Sequence, residues 1–552
     1  MTDQPNAALP AASPLTRRSF FGMSALSLGT LAAAPLAAQA GAPFGSGFTH
    51  GIASGEPAAR SVLLWTRFVA PHPTTLQFEV SDRQDFGAIV AGGTVEASPE
   101  HDCCAKAVAA GLEPGCWYFY RFVAPNGAMS PVGRTRTLPD GATDKFRMAV
   151  FSCSNMGFGW FNAYRHACEQ DAFDLAVHLG DYFYEYDYGH YPSKAQAVAG
   201  RLPEPIGETI HLADYRARYA SYRRDPDLAR LHQIYPTITV WDDHESANDS
   251  WKGGAENHQP DTEGEWSVRK AAAMRAYREW MPVSDANWAS YDIGDLATLF
   301  RLETRLTGRD KQLDLAAALK DTDPAHMQAA LEAFKTRDWE NPARNLMGAD
   351  QQQWLSSGMK QSVGAGRKWQ VLVQQIVMGS LFLPPEVAEG LSADTPDYVR
   401  QRLAAGVLAS KVGIPFNLDS WDGYPAARQR LLDAAKEADA NLVVLSGDSH
   451  NAWACELDGA GVEFAGHSVT SPGAEAYLGW KKPQDTAREL VASSPDLKWA
   501  ETANRGYMAV ELTPERASSE WRFMDTIRKR SDVLAKTRRM SANYGARKFA
   551  EA

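Results

Sequence analysis

Five short apolar runs in this 552-residue chain each end abruptly in side chains that carry lone pairs. "KFRMAVF" closes on Ser152-Cys153-Ser154, and "FDLAVHLG" on Asp181-Tyr182-Phe183-Tyr184-Glu185. "IYPTITVW" closes on Asp242-Asp243-His244-Glu245, with Asn248 just beyond. "WQVLV" meets Gln374-Gln375, and "ANLVVLSG" meets Asp448-Ser449-His450. Short, continuous apolar runs of this kind read as buried strands. Helical segments lie between them, so the pattern implies an α/β layered fold. In such folds the C-terminal ends of the strands carry the chemistry.

The rest of the chain is organised around that core. From Gly41 to about Leu138, strands such as "SVLLWTRF", "TLQFEVS" and "CWYFYRFVA" alternate with Gly, Pro, Asp and Asn turns. They read as a small fibronectin/Ig-like β-sandwich over 41–140. The α/β domain then runs over 141–525, with an inserted helical pair at about 311–346. Residues 526–552 are strongly basic and read as a solvated terminal helix. Residues 1–40 read as an address: Arg17-Arg18, an apolar stretch from Met23 to about Leu36, then Ala38-Gln39-Ala40. This looks like a twin-arginine signal and implies an exported, periplasmic or secreted protein that meets the twin-arginine machinery. No other stretch is long and apolar enough to span a membrane. The net charge of −11 argues against a general nucleic-acid or anionic-membrane binder. With only six cysteines, the chain is not a disulfide scaffold. Cys103 or Cys104 pairing with Cys116 is one reading of three of them, and unpaired burial is the other.

A thiol, a phenol, carboxylates and an imidazole at one sheet edge form a metal-binding set, because each offers a lone pair. Asp181 and Tyr184 are three apart in a turn, so both can aim at one ion. Asp448 and His450 are two apart and can reach neighbouring ions from an extended loop. A carboxylate can bridge two metals, and a two-metal site clamps the attacking and leaving oxygens of a phosphoryl displacement. Cys, Tyr and Asp donors favour a highly charged ion such as ferric iron, Fe3+. Oxygen-rich positions suit calcium, Ca2+. Acids packed around His244 at a strand end repel one another unless a cation is present. His178 reads as a core or supporting histidine. Arg165, Arg305 and Arg428 are candidates for contacting a phosphate. Tyr182, Tyr186, Tyr188 and Tyr191 either wall a cleft for an organic leaving group or simply pack.

This ordered set resembles the PhoD family of alkaline phosphatases and phosphodiesterases, within the calcineurin-like metallophosphoesterases. "THGIASGEP" at 49–57, "FRLETRLTGRD" at 300–310 and "DSWDGYPAAR" at 419–428 are similar to segments of that family. Glu303 stands where an Asp is more usual. The resemblance implies a four-layer αββα sandwich behind the N-terminal module. It implies Fe3+ on Cys153, Asp181, Tyr184 and His450, and Ca2+ on Asp243 and Asp448, with Asp181 bridging. Asn248 and Gln375 are further candidates for the metal shell. His244 is then the group that contacts phosphate and protonates the leaving group. The basic tail is then a possible lid over the site. The implied activity is hydrolysis of phosphate monoesters or diesters on small phosphorylated substrates by a metal-activated water. Two alternatives stand beside it: a phospholipase D-like, teichoic-acid or nucleotide phosphodiesterase on the same site, and an exported binding protein with a vestigial site.

Overall fold

Alternation along Phe146–Phe151 decides the layering. Phe146, Met148 and Val150 enter one buried core, while Ala149 and Phe151 enter another, as the two-residue period of a strand requires. The computed structural model describes residues 47–389, 391 and 397–551. The export signal expected over 1–40 lies outside them.

The N-terminal part contributes β1 (Gly47–Gly55), β2 (Ser61–Val69), β3 (Thr74–Ser81), β4 (Ala91–Ala97), β5 (Cys104–Ala110), β6 (Trp117–Val123) and β7 (Gly133–Arg136). Next come β8 (Phe146–Phe151), β9 (Leu175–His178) and β10 (Pro236–Thr239). A second group is β11 (Ala289–Ile293), β12 (Ala297–Arg301), β13 (Trp369–Val373), β14 (Leu442–Ser446), β15 (Ala452–Glu456), β16 (Gly461–Ala465) and β17 (Leu497–Glu501). The last are β18 (Gly506–Leu512), β19 (Arg516–Met524) and β20 (Leu534–Asn543). Three sheets result, ordered β20-β19-β18-β8-β9-β10-β1-β2-β5, β11-β12-β13-β14-β16-β15-β17 and β4-β3-β6-β7.

The two large sheets face each other across one core, where Met148, Val150, Val177 and Ile238 meet Val371, Val443, Leu445 and Phe464. Helices Asn162–Gln170, Leu212–Arg223, Pro226–Ile234 and Trp266–Trp280 cover the outer face of the first sheet. Helices Ala349–Gly364, Pro425–Glu437 and Pro483–Ser493 cover the second. The order is helix, sheet, sheet, helix. Each buried Val, Leu, Ile or Phe contributes about 1.5–3 kcal/mol. A one-residue slip would turn each set to the wrong face, so register is firmly set.

The N-terminal sandwich is not a free-standing sheet pair. One of its layers, β1-β2-β5, extends the nine-stranded sheet, because β1 pairs in parallel with β10 at Ser54–Pro236 and Gly55–Thr237. Gly55 sits in a tight junction: a Cβ there would lie 3.0 Å from the Thr237 carbonyl oxygen of β10 and 2.2 Å from that of Pro282. Across the sandwich, Ile52, Leu64, Leu76, Tyr120 and Phe122 share a separate core. The insertion over 311–346 forms helices Leu315–Leu319 and Met327–Ala333, whose Leu315, Leu319 and Leu331 pack on Ala409 and Ile414.

The basic tail departs from its sequence reading as a terminal helix, and the carbonyls of its first residues, Thr526 and Lys529, accept the Asn162 side-chain amide at the start of the helix that follows β8. Residues 534–543 form β20, antiparallel to β19 from Arg516–Asn543 to Met524–Leu534. Its cations pair with carboxylates of the body, Arg539 with Glu520 at 2.9 Å and Lys536 with Glu501. A charged strand is a common way to close a sheet edge. Of the two cysteine readings the unpaired one holds: Cys103 and Cys104 are buried free thiols, and Cys116 is free but exposed. No helix among the described residues is long and apolar enough to cross a membrane.

Candidate metal centre

The parallel strands β8, β9, β10, β13 and β14 bring all five polar clusters to one edge. Their turns are sharp. Cys153, Asp181, Asp448 and His450 all adopt left-handed backbone, with φ of 59°, 55°, 63° and 61°. Non-glycine residues seldom hold that conformation, and it concentrates at functional sites. Gly180, at φ 101°, lets the ends of β9 and β10 close together, because a Cβ there would sit 2.4 Å from the Cβ of Asp242. Glu245 pins the junction by accepting the backbone N–H groups of Asp181, Tyr182 and Asp242 at 3.1, 2.6 and 2.8 Å.

Three donor groups form there, each with ligand atoms within 4.8 Å of one another. One is Cys153, Asp181 and His450; another is Asp242, Asp243 and Asp448; Asp181, Asp243 and His244 join them. Tyr184 belongs with the first. Its hydroxyl donates to Asp181 Oδ2 at 2.9 Å and lies 3.0 Å from His450 Nε2. His450 Nδ1 is 2.8 Å from the Pro472 carbonyl, so it carries the proton and leaves Nε2 with a lone pair. Asp242 is an addition the sequence reading did not make.

The electrostatics fit cations. Burial pushes the Cys153 thiol, the Tyr184 phenol and the Asp181 and Asp448 carboxyls well above their ordinary values. Asp242 is pushed up to about 6 by burial, even with Arg305 beside it. Burial also lowers His450 to about 3, which keeps it a neutral ligand. Asp181 Oδ1, Asp242 Oδ2 and Asp243 Oδ1 are buried without a hydrogen-bond donor. Buried acceptors normally have partners, and bound cations are the partners this donor set suits.

His244 is 7% exposed, with Nδ1 2.7 Å from Glu185 Oε2. Burial works against its charge, but Asp181, Asp243 and Glu185 outweigh burial and raise its pKa. Glu185 also accepts the Asn248 N–H at 2.7 Å and the Asn257 amide at 2.9 Å. Asn248 thus stands beside the partner of His244, with its own amide on Glu256.

Arg305 is fully buried and is not a free phosphate contact. Nε binds Asp242, Nη1 reaches Asp419 Oδ2 at 2.6 Å, and Nη2 lies 3.3 Å from Asp448 and 3.7 Å from Asp243. Glu303 shapes that turn by accepting the Arg305 and Leu306 N–H groups. Arg165 and Arg428 make ion pairs with carboxylates outside the donor groups. Arg165 pairs with Glu169 and Asp227. Arg428 pairs with Asp496 at 2.6 Å beside a separate cavity of about 350 Å³. Gln375 is a strut rather than a ligand: its amide donates to the Trp241 and Leu302 carbonyls and accepts from Thr304. His178 is a core residue, near Ser154 and Tyr164. The sequence reading assigned no role to Glu185 or Asp419, although both stand inside the segments it singled out.

Comparison with known proteins bears on the family. The model of the PhoD-like phosphatase family matches residues 148–521, and that of the PhoD-like phosphatase N-terminal domain matches residues 33–139. Alkaline phosphatase D of Bacillus subtilis (strain 168) is 32% identical over 508 residues, covering 86% of this chain and 77% of that protein. A solved structure described as PhoD superposes with a TM-score of 0.73 at 29% identity, over 92% of each chain. The chain therefore belongs to the PhoD-like phosphatase family and is a phosphoric ester hydrolase.

Proposed function

We propose that the chain is an exported alkaline phosphatase that hydrolyses phosphate monoesters and diesters. Ferric iron would sit on Cys153, Asp181, Tyr184 and His450, and calcium on Asp243 and Asp448 with Asp242 beside them. The observation that carries this reading is the linked donor groups, one holding a thiol, a phenol and an imidazole, the other only carboxylates. The first set suits a small, highly charged ion, and the second a hard cation. When bound, such ions supply the Lewis-acid chemistry of in-line phosphoryl transfer.

The chain's own groups do the rest. His244, held through Nδ1 by Glu185, turns Nε2 toward Asp181 and Asp243 and protonates the departing oxygen there. Arg305 acts on the carboxylates rather than on phosphate: it fixes Asp242, Asp243 and Asp448 in one orientation. Asn248 steadies Glu185. Export through Arg17-Arg18 by the twin-arginine route belongs to the same proposal.

Elemental analysis of exported protein tests it, with iron plus calcium expected. Zinc alone, or a Cys153→Ala or Asp181→Asn enzyme that keeps its iron and full activity, would overturn the metal assignment. Hydrolysis rates on paired mono- and diesters at alkaline pH then separate the two ester classes.

A further inference from the structure

Beyond His244 lies an aromatic surface that neither the metal donors nor the proton transfer uses. The Tyr186 ring is 5.5 Å from the His244 ring, edge to face. On Tyr186 the His190 ring stacks at 4.8 Å, with only 8° between the planes. Tyr191 adds an edge-to-face contact to Tyr186 at 5.9 Å and lies 5.5 Å from Tyr184. Tyr186 is half-buried, and the His190 side chain is 65% exposed. The surface is therefore open to solvent on one side and rooted at the site on the other.

The backbone beneath it is held rigidly. Arg218, fully buried, donates to the carbonyls of Tyr184, Tyr186, Pro205 and Gly207 from a single guanidinium. The Tyr188 N–H adds a bond to the Ile206 carbonyl at 2.7 Å. One buried cation thus ties both arms of the 184–207 loop together. The backbone that carries Tyr184 and Tyr186 is thereby held in place, which lowers the ordering entropy to be lost when a ligand docks. The charges acting on the Tyr186 phenol are the carboxylates Glu185, Asp243, Glu256 and Asp249. Such surroundings disfavour a leaving group that carries further negative charge.

We infer that the stacked pair Tyr186 and His190 is a leaving-group subsite for a neutral planar aromatic ring carried by the esterified alcohol, such as an aryl group or a nucleobase. The inference rests on the proposed role of His244 at the leaving oxygen. It extends that reading by assigning what lies past the oxygen. Stacking of a ring on an aromatic face adds about 0.5–1.5 kcal/mol beyond area burial, about 2- to 12-fold in affinity.

The test uses two non-hydrolysable competitive inhibitors of similar size, benzylphosphonate and cyclohexylmethylphosphonate, on the metal-loaded full chain. Leaving-group reactivity does not enter their inhibition constants. The wild type is expected to bind the planar ring about 3- to 10-fold more tightly. Tyr186→Leu brings the two constants within about twofold of each other, and Tyr186→Phe restores the preference. Equal constants in the wild type, or an undiminished preference in Tyr186→Leu, overturn the subsite while leaving the metal chemistry standing. A wild type that binds neither phosphonate and cleaves no phosphate ester overturns the proposed function itself, and the subsite with it.

Discussion

Arg305 offers the sharpest test of the electrostatic account. Its guanidinium is fully buried and faces Asp242, Asp243, Asp419 and Asp448. In chelator-treated protein, Arg305→Leu keeps an apolar stem of similar bulk and removes the cation. Breaking a buried ion pair from one side costs about 3–5 kcal/mol, because the partner charge is left stranded. That cost has a ceiling, since a stranded carboxylate can take up a proton. For an Asp of ordinary pKa near 3.9, protonation costs about 5.6 kcal/mol at pH 8 and about 1.5 kcal/mol at pH 5. The sign follows from linkage. A carboxyl whose folded pKa is raised binds its proton first in the folded state, so stability is lost as pH rises above the unfolded value. Burial already raises Asp242 and Asp448, and Arg305 is what restrains the rise. Urea denaturation with chelator present should therefore show a deficit of about 3–5 kcal/mol at pH 8 that shrinks to about 1.5 kcal/mol or less at pH 5. A deficit of equal size at both pH values would mean lost packing rather than stranded charge, and would refute the reasoning.

Glu185→Gln should lower kcat by about 10- to 100-fold with metal content intact. The alkaline limb of its rate profile should move to lower pH, because Glu185 helps to hold the His244 proton; an unmoved limb would separate His244 from the proton transfer. Gln375→Leu should keep the full metal complement, yet lose about 1–3 kcal/mol for each buried acceptor stranded at Trp241 and Leu302, as read by urea denaturation. Loss of a metal equivalent in elemental analysis would return Gln375 to the ligand set. Truncation after Asp532 removes β20 and opens the β19 edge, so a lower melting temperature and aggregation on heating are expected. Higher activity at an unchanged melting temperature would instead mark the tail as a cover.

The site was legible because each cluster follows an apolar run, and parallel strands in α/β folds end on a common edge. Asp181, Tyr184, Asp448 and His450 could be read from spacing, whereas the roles of Cys153, Asp243 and His244 came with the family resemblance. Asp242 was read in neither way, because strand alternation would send one of two adjacent aspartates away. The turn after β10 breaks that alternation and aims both inward. Arg428 points elsewhere for a local reason. Its segment enters a helix at Pro425 that carries it to Asp496, while Asp419, ahead of that helix in the same segment, reaches Arg305. Gln375 looked like a ligand because its amide stands at a strand end, yet three neighbouring groups claim it. The tail misled for a non-local reason: its charge pattern suits a helix, and only the open edge of β19 makes it a strand.

The pairing of β1 with β10 has a mechanical consequence. Tension applied at the start of β1 passes through Ser54 and Gly55 into Pro236 and Thr237, a few residues before Asp242 and Asp243. The C-terminal strand β20 lies at the opposite edge of the same sheet, with β19, β18, β8 and β9 between it and β10. A surface linker or carrier fused near residue 47 would therefore load the β1–β2 ladder first and reach β10 only through Ser54 and Gly55.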